Sequence, residues 1–195
     1  MKQSRLSAYD ITLGSLFVAL MAVGANITAF MPFLQVMGVP LTLQTFFAIL
    51  AGLILGSRLG FFSLSVYVIL GLIGAPIFAG FKGGVSILIS PTFGFIISYI
   101  VLAYVVGKIA EYKRNLPTYI AAALTGIAIN YFIGVNLFYL AMNFWVGGEA
   151  IGLGLAWSSM VPFLMKDFVF SIGAAVFALR LERALLHRTP LRQAA

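Results

Sequence analysis

Six long runs of apolar residues, each cut off by a short cluster of Gly, Pro, Ser or charged side chains, account for most of the chain. A helix of about 20 apolar residues crosses the hydrocarbon core of a bilayer, and the runs at roughly 11–31, 41–56, 61–79, 87–107, 117–143 and 160–182 read as six such helices. The third is short for a span unless it is tilted or continued by Ala75–Ala79. The pattern predicts an all-α integral membrane protein with six transmembrane helices. It forms a single membrane domain over 1–195 and ends in a basic tail, 183–195. Lys2 and Arg5 before the first run would also suit a signal peptide, but the further runs behind it favour a retained first helix.

Polar and small residues interrupt these runs in informative places. Ser15, Ala19 and Ala22 recur at helical spacing on one side of the first run. Small residues there let another helix approach closely, either inside this protein or from another membrane subunit. Pro32, Gly38 and Pro40 break the chain before a run that opens with Thr42, Gln44 and Thr45. Gly52, Gly56 and Gly60 stand four apart, as in close-packed helices, with Ser57 and Arg58 ending the helix before the third. The fifth run carries Asn130, Asn136 and Asn143, which are costly in hydrocarbon unless bonded across the bundle or to a ligand.

The stretch from Gly71 to Phe95 departs most from simple apolar helix. Gly74 and Pro76 break it, Gly80, Gly83 and Gly84 surround Lys82, and Ser90, Pro91 and Thr92 precede the restart. Unpaired backbone groups in hydrocarbon would each cost several kcal/mol, so this segment has to lie against protein or line a wet cavity. A binding loop is the expectation.

Composition sharpens the class. Hydrophobic residues make up 62% of the chain and charged residues 9%, far from the roughly 25% charged content of soluble domains. The net charge of +7 is explained by orientation signals in the loops, not by a nucleic-acid partner. Ten of the twelve basic residues, Lys2, Arg5, Arg58, Lys108, Lys113, Arg114, Arg180, Arg183, Arg188 and Arg192, fall on the side of the termini, leaving Lys82 and Lys166 opposite. Both termini are therefore expected in the cytoplasm, with Glu149 outside.

The absence of cysteine excludes disulfides and thiolate chemistry, and the lone histidine, His187, lies in the charged tail, away from any intramembrane metal site. There is no phosphate-binding GxxxxGK[ST], no HExxH and no GxSxG, so no catalytic residue, metal or cofactor is expected and an enzyme is disfavoured. What remains is an outward-facing pocket with a cation on a glycine loop, an adjacent Lys166–Asp167 pair, several amides, and aromatic walls from Phe78, Tyr99, Trp145 or Trp157. Such a pocket suits a small amphipathic anion. Each element also has a plainer reading: Lys82 reaching to lipid headgroups, Lys166 with Asp167 as a helix-start pair, and each asparagine as interhelical glue.

Several motifs in fixed order carry a resemblance. These are VPLTLQT at 39–45, AGLILGSRLG at 51–60, YVILGLIGAPIFAGFKGG at 67–84, SPTFGF at 90–95, NYFIGV at 130–135 and VPFLMKD at 161–167. Over about Ser15 to Leu181 the chain resembles the BioY family, the biotin-specific S-components of energy-coupling factor transporters. The resemblance implies the six-helix S-component fold and capture of biotin from outside. It further implies delivery through a transmembrane T-component and two cytoplasmic ATPases that bind the ATP. The implied ligand-binding residues are Thr42, Gln44, Phe78, Lys82, Thr92, Asn130, Tyr131, Lys166 and Asp167, to which the expected aromatic wall adds Tyr99, and Ser15, Ala19 and Ala22 match the T-component docking face. The chain departs from relatives at Phe93, Phe95, Ser90 and Phe170, which leaves Lys82 first and Lys166 second as the cation for the ligand carboxylate. The competing readings are an S-component for another vitamin and a stand-alone secondary transporter. For the latter the sequence offers neither ion-coupling acids nor paired inverted repeats.

Overall fold

The computed structural model describes residues 7–29, 35–36, 39–146 and 150–188, with side chains described up to residue 184 except at Val36 and Val39. Lys2, Arg5, Pro32, Gly38, Glu149 and Arg192, and the side chains of His187 and Arg188, thus lie outside the described residues. The first helix, α1 (Ala8–Asn26), opens with a reciprocal cap: the Ser7 hydroxyl accepts the Asp10 N–H at 3.1 Å and the Asp10 carboxylate accepts the Ser7 N–H at 2.9 Å. A 3-10 turn, Ile27–Ala29, follows, and Gln35–Val36 pairs antiparallel with Val39–Pro40. After these come α2 (Gln44–Leu72), a 3-10 turn at Val85–Ile89, α3 (Phe93–Tyr112), α4 (Leu116–Phe144), the short α5 (Leu153–Ser159) and α6 (Val161–Arg188).

Helix α2 is not straight. At Gly56 the backbone takes φ 79°, ψ 177°, a conformation that L side chains rarely adopt, and the chain folds back on itself. A Cβ on Gly60 would sit 3.3 Å from the Ala51 carbonyl oxygen, and Gln44 Nε2 donates to the Tyr67 hydroxyl at 2.9 Å. Both contacts require antiparallel limbs, 44–55 and 57–72. Among the described residues five helices are long and apolar enough to cross a membrane, and the fold in α2 turns them into six apolar limbs.

At 1.5 Å rise per residue the two limbs of α2 are about 18 and 24 Å long, shorter than the roughly 30 Å hydrocarbon core. The backbone at their ends therefore has to find hydrogen bonds within the protein.

The segment boundaries differ from the sequence pattern where backbone chemistry overrides hydropathy. The third segment ends at Leu72 instead of residue 79, because Gly74 takes φ 112° and Pro76 cannot continue the helix. The fourth starts at Phe93 instead of residue 87: Ser90, held extended ahead of Pro91, separates it from the 3-10 turn. The connection between the expected fifth and sixth runs contains α5, and the last helix continues to Arg188, well into the stretch expected as a tail.

Helices α2, α3, α4 and α6 pack in a closed ring, and α1 lies against α2. Bare backbone makes the closest approaches. A Cβ on Gly52 would meet the Ala103 carbonyl oxygen of α3 at 2.7 Å, and one on Gly107 would meet Ser57 N at 2.3 Å. Of the three asparagines in α4, Asn130 accepts from the Ser98 hydroxyl of α3 at 2.6 Å, and Asn143 reaches the Ile151 carbonyl at 3.1 Å. Asn136 bonds back to its own helix, at the Phe132 carbonyl.

The fold in α2 leaves the first N–H groups of its second limb without helical partners. Glu111 of α3 supplies one: its Oε1 accepts from Ser57 N at 2.8 Å and from Ser57 Oγ at 2.7 Å. Replacing Glu111 by Ala is expected to lower stability by about 1 kcal/mol, the usual worth of a helix cap, seen as a lower midpoint of thermal unfolding in detergent. Lys108→Ala removes only an exposed 3.5 Å pair with the same carboxylate and should leave the midpoint in place. Equal midpoints for Glu111→Ala and the parent would show that the cap contributes nothing.

Candidate functional site

A cavity of about 460 Å³ opens where the start of α2, the loop after α2, α3, α4 and the start of α6 converge. Its chemistry centres on Asp167, in the first turns of α6 and 5% exposed. Three donors from three elements surround this carboxylate. Lys166 Nζ lies 2.8 Å from Oδ1, Thr45 Oγ1 of α2 donates to Oδ2 at 3.0 Å, and Tyr131 OH of α4 donates to Oδ2 at 2.9 Å. Lys166 also donates to the Thr42 carbonyl, so the lysine is committed on two sides. A buried charge is tolerated when paired and hydrogen-bonded in this way, and the arrangement fixes α6 against α2 and α4.

A second polar group forms the wall near α1. Gln44 donates to Tyr67 OH, which in turn donates to the Ile77 carbonyl at 3.1 Å. Phe78 is 1% exposed, stands edge-on to Tyr67 at 5.4 Å between centroids, and fills the space that a Cβ on Gly71 would occupy. Phe78 and Lys82 exchange backbone hydrogen bonds of 3.0 and 3.2 Å, closing a five-residue loop that presents Lys82 at the cavity rim. Lys82 itself is exposed, and among the described residues no carboxylate lies within ion-pair distance of it.

The cavity is lined by all ten residues expected there: Thr42, Gln44, Phe78, Lys82, Thr92, Tyr99, Asn130, Tyr131, Lys166 and Asp167. The two tryptophans expected as further walls are not part of it. Trp145 caps the end of α4 and Trp157 lies on α5, 45% and 36% exposed respectively. Ser15 and Ala19 are exposed and Ala22 is half-buried, away from the cavity.

Sequence reasoning missed Thr45, Thr28, Met160 and Phe163 as lining residues. Thr45 had a signal, because it stands at a helix start beside Gln44. Thr28, in the turn after α1, and the two apolar residues had none.

Three comparisons bear on this site. The BioY family model matches residues 1–187. The chain belongs to the BioY family. Within that family, BioYB of Bacillus subtilis (strain 168) is 42% identical over 189 residues, covering 95% of this chain and 93% of that one. The "Biotin transporter BioY" of Thermotoga maritima is 37% identical over 175 residues, covering 89% and 95%. In architecture the chain is similar to the crystal structure of the S-component for biotin from an ECF-type ABC transporter, with a TM-score of 0.75 and 22% identity over 90% of this chain and 91% of that one. The long apolar helices and membership of this family identify a multi-pass membrane protein with the ECF S-component fold.

Proposed function

We propose that this chain is a substrate-binding membrane subunit that captures biotin from outside and delivers it through an ATP-driven energy-coupling factor complex, and that it is not an enzyme. The observation that carries the reading is the division of charge in the cavity. The lining holds both a buried carboxylate surrounded by donors and a separate lysine with no acidic partner among the described residues. Biotin has the complementary ends: a ureido ring with two N–H donors and a carbonyl, and a valerate chain ending in a carboxylate. A carboxylate offers about four acceptor positions, and three donors already meet Asp167, so the site has room for a ureido N–H. Gln44 or Asn130 serves the ureido carbonyl, Phe78, Tyr99 and Tyr131 give the rings apolar contact, and Thr42 and Thr92 complete the polar rim. Lys166 is engaged by Asp167 and the Thr42 carbonyl, which leaves Lys82 as the cation for the valerate carboxylate. A cavity of about 460 Å³ lies within the range of small-ligand sites. The names of the Thermotoga relative and of the solved S-component support the same ligand.

The chain contains no nucleotide-binding motif, so accumulation requires partners that bind ATP: a T-component in the membrane and two cytoplasmic ATPases. The exposed small residues Ser15 and Ala19, with Ala22 beside them, form the docking face in this reading, and both termini are cytoplasmic.

The site reading is tested by titrating two variants with two ligands in detergent, after checking that each variant is monodisperse. Asp167→Asn should weaken biotin binding by roughly 10- to 150-fold, because hydrogen bonds to charged groups contribute about 1.5 to 3 kcal/mol. Lys82→Gln should lose a comparable amount for biotin but little for the valerate amide. Unchanged affinity in Asp167→Asn, or equal losses for both ligands in Lys82→Gln, would contradict the assigned roles. For docking, Ala19→Trp should prevent co-purification with a T-component while biotin binding survives; loss of both would make the face internal packing. Orientation is read from a single cysteine at position 82, which should react with an impermeant thiol reagent from outside and not from the cytoplasm.

A further inference from the structure

The end of α1 and the loop that carries Lys82 are joined through one side chain. Asn26, the last residue of α1, is 4% exposed, and its Oδ1 accepts the backbone N–H of Phe81 at 2.6 Å. Its Nδ2 donates to the Ala22 carbonyl of its own helix at 3.0 Å and points to the Ile77 carbonyl at 3.4 Å, the oxygen that also accepts from Tyr67 OH. One amide therefore grips the loop at both of its ends, Ile77 and Phe81. Phe81 is the residue that needs holding: it is the one non-glycine with positive φ among the described residues, at 54°. Its ring is 54% exposed and does not line the cavity, so packing of the ring does not hold the backbone there.

We infer that Asn26 is a positioning residue that latches the 77–82 loop to the end of α1 and sets how long a ligand stays in the cavity. It is not itself part of the cavity lining. Its effect passes through the loop, which places Phe78 in the wall and Lys82 at the rim. With the latch closed the loop is a fixed wall. With it open, the strained Phe81 relaxes and the wall moves away, which speeds release more than it changes capture.

The kinetic part of the test rests on the biotin reading and the exchange part does not. In the purified full chain, Asn26→Ala should raise the hydrogen-exchange rate of the Phe81 amide about 10-fold and speed biotin dissociation by a similar factor, with association changed less than about twofold. Asn26→Asp keeps an oxygen facing Phe81 N–H and should retain most of the slow exchange and slow release. Exchange at Phe81 and biotin release both at parental rates in Asn26→Ala would overturn the inference. So would faster exchange spread evenly through α2 and α4, which would make Asn26 a general packing residue. If Asn26→Ala does not yield a folded chain, Phe81→Asn decides, because asparagine accepts positive φ more readily than phenylalanine. Slower biotin release is then expected, and unchanged or faster release would overturn the latch. A parent chain that binds no biotin would sink the ligand reading, and the exchange result would still decide the latch.

Discussion

A carboxylate buried in an apolar bundle has to be answered by donors, and Asp167 imposes that requirement on the whole protein. Its three partners come from α2, α4 and α6 itself, so the ring of helices closes around the charge instead of around an apolar core alone. Removing one partner from such a group typically costs several kcal/mol, far more than any surface pair. The cavity exists because this polar cluster is placed where the backbone is already irregular. The loop after α2 and the break before α3 leave room that straight helices would have filled.

The loop completes the site from the other side. Its glycines permit the turns, Phe78 anchors it beneath Tyr67 against Gly71, and the paired backbone bonds of Phe78 and Lys82 hold its tip. The two lysines that line the cavity thereby acquire different roles. Lys166 neutralises Asp167 and cannot serve a ligand carboxylate without exposing that charge, whereas Lys82 has no acid beside it among the described residues. A ligand with N–H donors at one end and an anion at the other fits that division.

Much of this was legible in the chain. Apolar run length gave the helical membrane class, the convergence of Lys82 and Lys166–Asp167 on one side of the expected topology pointed to a pocket there, and the family resemblance supplied Thr42, Gln44 and the other expected lining residues. The end of the second run at residue 56 coincides with the fold at Gly56, but hydropathy could not reveal every stop, because backbone geometry decides that: the break at Gly74 lies inside the expected third run, and α5 lies between the expected fifth and sixth runs. The tryptophans were placed in the wall on residue type alone, and their positions at the end of α4 and on α5 put them outside it. Glu111 stands among Lys108, Lys113 and Arg114 in sequence, where nothing marks it as the cap of the fold in α2. Asn26 gave no signal in the sequence, since its partners in the loop are 51 and 55 residues away.

The central claim is that this cavity selects one ligand by being lined with a donor-ringed carboxylate and a second cation, Lys82, that has no acidic partner among the described residues. Calorimetric titration of the purified, partner-free chain with biotin, riboflavin and thiamine tests it directly. The account predicts saturable one-to-one binding of biotin and no heat above dilution for the other two. Binding of riboflavin or thiamine in place of biotin, or of all three alike, would contradict it.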